Sequence, residues 1–179
     1  MNVANDEKVL SAVKDREKDL VQNGYEKIIA LRDMYSEAYL NRAGRMINNI
    51  ITEEFINGAH ETIQKMGNSD KIKMCFAIME FEAWFLGMYN LFERLDPALT
   101  IAYIEEKLGF NLSVIDPQIE FFRPSDKVTD ILRLGGRQYQ KSEHDIESIC
   151  SKIDIKDFSN AFEKGICMSF KDFYDEVLN

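Results

Sequence analysis

Two short apolar runs, each followed by charged residues, constrain the fold of this chain more than any other feature. The first covers residues 27–33 (Lys-Ile-Ile-Ala-Leu-Arg-Asp), and the second covers residues 72–86, which include Glu80 and Glu82. The first run is too short and too rich in β-branched residues for a helix, and the second is almost continuously apolar. Both patterns are typical of strands covered on both faces. The sequence therefore predicts two buried parallel strands, over residues 25–32 and 72–79.

The charged residues at the strand ends predict a binding site. In open parallel sheets, ligands and metal ions bind just beyond the carboxyl ends of the strands. If the two strands are neighbours, Asp33 comes close to at least one of Glu80 and Glu82. Carboxylates of this kind suit Mg²⁺ or Mn²⁺, since Mg²⁺ is commonly held by one or two carboxylates and several waters. We therefore predict Asp33, Glu80 and Glu82 as catalytic and metal-binding candidates.

Each of these carboxylates also has a purely structural interpretation. Asp33 can cap the helix that follows or pair with the neighbouring Arg32. Residues two apart on a helix point to different sides, so only one of Glu80 and Glu82 is expected to face Asp33 unless the turn is irregular. The other would stabilise the first turn of its helix through the helix dipole, by about 0.3–1 kcal/mol. Trp84, in the same helix, is expected to lie in the core.

The remaining sequence is predicted to be helical, with Thr52 and His144 as helix caps and residues 110–124 as a loop or short edge strand. The predicted helices cover residues 5–22, 36–48, 52–66, 81–87, 91–95, 100–108, 125–134, 144–153, 155–164 and 169–178. The fold class is therefore α/β, a small parallel sheet with a mostly helical C-terminal half. Residues 1–90 are predicted to form the α/β core, and residues 91–179 a helical extension packed on it in the same domain. Two strands are few for an independent sheet, so the sheet is expected to be incomplete or to pair with a second copy.

Composition excludes several classes of function. The net charge of −9 disfavours broad binding to a phosphate backbone, so nucleic acid is expected as a partner only through a metal ion. Cys75, Cys150 and Cys167 form no CxxC pair, which argues against a zinc cage and favours reduced thiols. No apolar stretch approaches the roughly 18–20 residues that span a bilayer, and residues 1–8 lack the apolar core of a signal peptide. We therefore expect a cytoplasmic protein with no membrane partner.

A polar segment after the Gly135-Gly136 turn contains Tyr139 and Lys141. A lysine at this position could contact a phosphate, or it could simply be solvated, and the polar flanks favour solvation. The sequence has no Ser-His-Asp, Cys-His or phosphate-binding-loop pattern. Hydrolysis by a nucleophilic side chain is therefore not expected.

Four segments resemble a bacterial domain family of unknown function with a Toprim-like (topoisomerase–primase type) fold. They are residues 31–33, 78–86 (Ile-Met-Glu-Phe-Glu-Ala-Trp-Phe-Leu), 139–141 and 169–170, and the resemblance covers residues 25–178. The Toprim pattern binds Mg²⁺ through a Glu after a first strand and an Asp-x-Asp after a later one. Asp33 matches the first Asp, whereas Tyr35 stands at the position of the second. The chain is expected to lack the N-terminal strand and its Glu, since no such element precedes Asp33.

The resemblance implies a Toprim-related protein, either a Mg²⁺- or Mn²⁺-dependent nuclease subunit or a degenerate relative, with a role in phage defence. Some members of the family are encoded beside AAA-type ATPases, so such an ATPase is an expected partner. The resemblance adds Arg32, Tyr139 and Lys141 to the candidate site residues. The alternative is a non-enzymatic interaction module that uses a sheet edge or a helical face to bind a partner or a second copy.

Overall fold

The computed structural model of the chain describes residues 8–179 and has the predicted α/β architecture. The strands are β1 (Ile28–Asp33) and β2 (Ile72–Ala77). The helices are α1 (Val9–Gln22), α2 (Glu37–Ala43), α3 (Asn49–Gln64), α4 (Glu82–Gly87), α5 (Leu91–Leu95), α6 (Ile101–Leu108), α7 (Pro117–Glu120), α8 (Pro124–Leu134), α9 (Glu143–Cys150), α10 (Ile155–Glu163) and α11 (Met168–Leu178). Within residues 8–179, no helix is both long and apolar enough to cross a membrane.

The described residues form two compact units. The first unit runs to Ile78 and also includes Asp172–Asn179, and the second is Met79–Lys171. The boundary falls directly after β2, before the segment that carries Glu80 and Glu82. The predicted organisation, an α/β core to residue 90 with a helical extension in the same domain, stays a prediction.

A two-stranded parallel sheet forms the centre of the first unit. Strands β1 and β2 pair in parallel from Ile28 opposite Ile72 to Asp33 opposite Ala77, which confirms the predicted pairing. The Met34 amide continues the ladder by donating to the Ala77 carbonyl at 2.9 Å. Helix α1 packs on β1 and α3 on β2, so helices bury the apolar strand residues. Burial of this kind is what allows so small a sheet to be stable.

A buried glutamate ties α1 to the turn before β2. Glu17 is only 4% exposed, and its two carboxylate oxygens accept hydrogen bonds from the Gly67 and Asn68 amides at 3.2 and 3.1 Å. The carboxylate thus satisfies two turn amides that would otherwise lack partners, as buried polar groups require. Helix α1 ends as predicted at Asn23-Gly24, where Gly24 has a φ of +89° that favours glycine.

The core of the second unit surrounds α4, which packs against α7 and α8. The Trp84 indole is buried as predicted, and its Nε1 donates to Ser169 Oγ at 3.0 Å. The indole ring also packs against Phe170, with 5.0 Å between ring centroids. At the end of α4, Gly87 lies so close to Cys167 that a Cβ would come within 2.6 Å of the Sγ atom. Helices α7 and α8 and the segment from Cys167 to Phe170 therefore hold α4 in place.

Two predictions for helices in the first unit were wrong. Thr52 does not cap α3, because Asn48 accepts from the Ile51 amide and α3 begins at Asn49. Thr52 is instead buried, with its hydroxyl 3.0 Å from the Tyr39 hydroxyl. Helix α2 stops at Ala43, well before residue 48, because the chain turns there at a glycine with a φ of +68°. The predicted caps of the first helix, Asn5 and Asp6, lie outside the described residues.

One prediction for the second unit was also wrong, and another, a loop or short edge strand over residues 110–124, is confirmed as a loop apart from one four-residue helix. His144 is not a cap, since Ser142 caps α9 in a capping box with Asp145. Residues 110–124 contain the short helix α7, which begins at Pro117, and no strand is assigned among them. The Asp116 side chain caps α7 by accepting from the Gln118 amide, and proline at the first helical position needs no amide partner.

Candidate functional site

Four side chains from distant parts of the sequence meet at the start of α4. The Lys141 ammonium donates to Glu80 Oε1 at 2.8 Å and lies 3.2 Å from Glu82 Oε1. The Tyr139 hydroxyl donates to Glu82 Oε1 at 2.8 Å. We refer to Glu80, Glu82, Tyr139 and Lys141 as the Glu–Lys cluster. All four were among the sequence candidates, and all four lie in the second unit.

Both glutamates reach the same lysine because Glu80 is not part of the helix. Helix α4 begins at Glu82, and Met79 has a φ of +61°, which turns the backbone sharply just before the cluster. The expectation that two residues two apart would diverge assumed a regular helix. This turn instead brings both carboxylates to Lys141.

The N-terminus of α8 holds Glu80. The Ser125 amide donates to Glu80 Oε2 at 2.9 Å, so each carboxylate oxygen has a donor. Burial raises the pKa of Glu80, but hydrogen bonds from Lys141 and from Ser125 outweigh it, and the pKa lies below its ordinary value. The positive end of the α8 dipole favours the same charged form. Glu80 is therefore a fixed, ionised carboxylate.

Glu82 has the opposite environment. Its side chain is fully buried, and its Oε2 atom has no hydrogen-bond partner in the described structure. Burial raises the pKa of Glu82 above its ordinary value, although the charge of Lys141 and the Tyr139 hydroxyl act against this shift. A buried polar atom without a partner typically costs about 1–3 kcal/mol, and more when charged. Such an atom in a native fold calls for an explanation, for instance a bound ion.

Lys141 completes the cluster from a short loop. Its side chain is 40% exposed, and its backbone φ is +56°. Burial lowers the pKa of Lys141, but hydrogen bonding to Glu80 and the charge of Glu82 outweigh it, so the amine stays protonated. Asp145 shapes the loop by accepting from the Gln140 and Ser142 amides at 2.9 and 3.2 Å. The expectation that Lys141 is merely solvated was wrong, because it pairs with both glutamates.

Tyr139 acts as a fixed donor. Its side chain is buried, and burial together with the nearby charge of Glu82 raises the pKa of the phenol. The phenol therefore keeps its proton at neutral pH and donates a hydrogen bond to Glu82 Oε1. This hydrogen bond fixes the orientation of the Glu82 carboxylate.

The candidates Asp33 and Arg32 lie at the end of β1, in the first unit. Asp33 does not cap α2, since Ser36 does so by accepting from the Tyr39 amide. The Arg32 side chain is buried, with its guanidinium carbon 6.0 Å from the centroid of the Phe76 ring. The convergence of Asp33 with Glu80 and Glu82 stays a prediction.

The Glu–Lys cluster offers two carboxylates to a cation. Within residues 8–179, no group of three or more His, Cys, Asp or Glu side chains is arranged to hold a metal ion. Three of the four carboxylate oxygens of Glu80 and Glu82 accept hydrogen bonds from protein donors. The fourth, Glu82 Oε2, has no hydrogen-bond partner. Mg²⁺ needs only one or two carboxylates when waters or substrate phosphates complete its shell. The two glutamates therefore fit a divalent cation, provided that the Lys141 ammonium vacates the position.

A separate polar pocket of about 470 Å³ shares no residue with the Glu–Lys cluster. Three of its charged groups, Arg94, Asp154 and Asp157, already have structural partners. Arg94 pairs with Asp157 and donates to the Lys152 carbonyl, while Asp154 and Asp157 form the capping box of α10. These contacts account for the charges of those three residues without a ligand.

Sequence reasoning missed Ser125, which contributes a backbone amide. Pro124 at the first position of α8 signals a helix start, and helix N-termini attract anions. That signal marks an anion position, but it does not reveal that Glu80 fills it.

Comparisons of this chain with protein-family models, with curated proteins and with solved structures find no match. The resemblance to the Toprim-like family therefore stays a prediction. The geometry of the Glu–Lys cluster is the basis for the function proposed next.

Proposed function

We propose that this chain is a Toprim-related, divalent-metal-dependent phosphodiester hydrolase whose site is the Glu–Lys cluster. Glu80 and Glu82 hold a Mg²⁺ or Mn²⁺ ion, and Lys141 contacts the phosphate of the substrate. In the reaction, the oxygen of water bonds to phosphorus and one P–O ester bond breaks. The released alcohol carries away one of the water's protons.

The observation that carries the proposal is the unpartnered, fully buried Glu82 Oε2 atom beside a second buried carboxylate. Two buried carboxylates beside one lysine cost folding energy, since the desolvation of charges is only partly repaid by pairing. Titratable groups with such perturbed environments cluster at functional sites. Carboxylate oxygens are also the ligands that Mg²⁺ prefers.

The other groups of the site position these two ligands. The α8 N-terminus and Ser125 orient Glu80, and the Tyr139 hydroxyl orients Glu82. Lys141 supplies a positive charge of the kind that binds phosphate oxygens in charge-assisted hydrogen bonds. A bound divalent ion would supply Lewis-acid polarisation of the phosphate and a more acidic bound water.

Calorimetric titration with Mn²⁺ and Mg²⁺ tests the proposal. The proteins are the wild type, Glu82→Gln and the control Glu106→Gln, which removes an exposed carboxylate that pairs with Lys107 in the same unit. We expect one site with millimolar or tighter affinity in the wild type. Removal of the Glu82 charge should weaken binding at least about tenfold, the equivalent of about 1.4 kcal/mol, and the control should match the wild type.

Hydrolysis of bis(p-nitrophenyl) phosphate and of single-stranded DNA completes the test. Turnover should require added metal and should disappear in Glu82→Gln. The absence of binding heat from the wild type at millimolar Mn²⁺ would contradict the proposal, as would turnover that persists in the presence of a chelator.

A second candidate function, a protein-interaction module, is favoured by the size of the sheet. Within residues 8–179 the sheet has only β1 and β2, so each strand has one edge that pairs with no third strand. Open strand edges invite pairing with another chain. Light scattering after gel filtration tests self-pairing, because a strictly monomeric protein excludes it. Co-purification with a co-expressed AAA-type ATPase from the same locus tests the partner that the resemblance implies.

A further inference from the structure

We infer that Lys141 occupies the cation position of the site, leaves when a divalent ion binds, and then contacts the substrate phosphate. This inference rests on the proposed function. It specifies how the site changes from a metal-free state, in which Lys141 pairs with both glutamates, to a metal-bound, or loaded, state. It also accounts for the anionic phosphodiester substrate of the proposed function.

The hydrogen-bond geometry places Lys141 where the metal ion would be. One nitrogen lies 2.8 Å from Glu80 Oε1 and 3.2 Å from Glu82 Oε1, so the ammonium pairs with both carboxylates at once but offsets only one of their two negative charges. A divalent cation bound to the same two groups would lie directly beside this positive charge. Like charges at such short range repel strongly in a buried site. The two cations therefore exclude one another.

The lysine is the member of the cluster that is free to move. Its side chain is 40% exposed, whereas those of Glu80 and Glu82 are 5% and 0% exposed. Ser125 and Tyr139 anchor the two glutamates, and no such anchor restrains the flexible four-carbon stem of lysine. Displacement of the ammonium towards solvent thus opens the site without moving either carboxylate.

The displaced ammonium has a natural role in the loaded site. With a divalent ion on two carboxylates, the local charge is near zero, and the released lysine adds one positive charge next to it. An incoming phosphodiester carries one negative charge and presents oxygens to which an ammonium donates. The Lys141 ammonium therefore gives up its contacts with the two carboxylates and donates to a phosphate oxygen instead.

Mn²⁺ binding, followed by the paramagnetic resonance signal of the free ion, tests the exchange. The proteins are the wild type, Lys141→Met and the control Lys164→Met, whose amine contacts the Tyr89 hydroxyl and the Ser113 carbonyl, both neutral. We expect Lys141→Met to bind Mn²⁺ at least about tenfold more tightly than the wild type. Lys164→Met should bind like the wild type. Turnover of bis(p-nitrophenyl) phosphate should nevertheless fall in Lys141→Met.

The possible results separate this inference from the proposed function. Equal or weaker binding by Lys141→Met, with binding by the wild type, overturns the exchange and leaves the metal site standing. Binding by Lys141→Met alone supports the lysine as the resident cation but overturns metal-dependent activity in the native chain. If neither protein binds Mn²⁺, both ideas are wrong.

A measurement on the unaltered protein covers the case in which Lys141→Met does not fold. Amines are labelled with acetic anhydride, and the extent of labelling at each lysine is read by mass spectrometry. In wild-type protein that has bound Mn²⁺, labelling of Lys141 should rise severalfold while labelling of Lys164 stays constant. Unchanged labelling of Lys141 in the metal-bound protein overturns the exchange.

Discussion

Replacing each glutamate of the Glu–Lys cluster by glutamine should change the stability of the protein in opposite directions. Glu80→Gln should lower the free energy of unfolding at pH 7, and Glu82→Gln should raise it. The substitutions are chemically identical and only two residues apart. The difference follows from the environments of the two carboxylates, one with a donor on each oxygen and one with an unpartnered oxygen.

The magnitudes follow from the hydrogen bonds at each position. Glu80 accepts from Lys141 at 2.8 Å and from the Ser125 amide at 2.9 Å, and the Gln amide nitrogen cannot accept from one of these donors. Hydrogen bonds to charged groups contribute about 1.5–3 kcal/mol, and we expect a loss in that range for Glu80→Gln. Glu82→Gln replaces a carboxylate whose Oε2 atom lacks a partner with a neutral amide whose oxygen can still accept from Tyr139, and we expect a gain of about 1 kcal/mol because burial penalises the charged form.

The pH dependence has opposite signs for the two residues. The pKa of Glu80 is lowered from 4.5, so its contribution is present above that value and disappears as the pH falls through the lowered pKa. The pKa of Glu82 is raised from 4.5, so its contribution is complete below that value and is lost as the pH rises through the raised pKa. Both effects of substitution should therefore be larger above the respective pKa than below it, and both should shrink in acid.

Urea unfolding followed by the fluorescence of Trp84 measures these differences. Trp84 is the only tryptophan of the chain, it is buried, and it lies in the same unit as the cluster. The exposed control Glu106→Gln should stay within about 0.5 kcal/mol of the wild type. If both cluster variants shift in the same direction at pH 7, or if Glu82→Gln is the less stable of the two, the assignment of the environments is wrong.

Four further predictions concern the cluster and its surroundings, each measured by urea unfolding. Tyr139→Phe removes the hydroxyl that donates to Glu82 and should cost about 1.5–3 kcal/mol, since the lost bond is to a charged group. Gly87→Ala places a Cβ 2.6 Å from Cys167 Sγ and should cost about 1–3 kcal/mol, of which Cys167→Ala in the same chain should restore a part. Ser142→Ala removes the cap of α9 and should cost about 1 kcal/mol at pH 7. Asp145→Asn should also destabilise the protein at pH 7, with a deficit that vanishes in acid, because the pKa of Asp145 is lowered from 3.8 and its contribution is lost below that value.

Local signals made most of the fold predictable. The two strands follow from short apolar runs, and α6 and α10 begin where Thr100 and Asp154 supply N-caps. The predictions failed where two local signals competed, as at Thr52 and His144. At each of these positions a residue that could cap a helix lies near another that is better placed to do so, Asn48 for α3 and Ser142 for α9. Thr52 packs against Tyr39 instead of capping α3.

Four of the six candidate residues form the Glu–Lys cluster, but their contacts were not predictable from the sequence. Glu80, Glu82, Tyr139 and Lys141 were all candidates, yet Lys141 is 61 residues from Glu80 along the chain. A lysine in a polar loop is solvated by default, and only tertiary packing decides whether it meets a buried carboxylate. The amide of Ser125 was missed for the same reason, since a backbone donor leaves no signature of its partner in the sequence.

Backbone strain explains why local rules fail at this position in particular. Among the described residues other than glycine, only Met79, Lys141 and Cys167 have a positive φ. Met79 precedes Glu80, Lys141 belongs to the Glu–Lys cluster, and the Cys167 thiol contacts the Ala83 carbonyl next to Glu82. Strained residues of this kind cost about 1–3 kcal/mol each and persist only where the surrounding structure enforces them. The strained turn at Met79 is what lets two glutamates converge where a regular helix would separate them, so the strain and the paired carboxylates have a common origin.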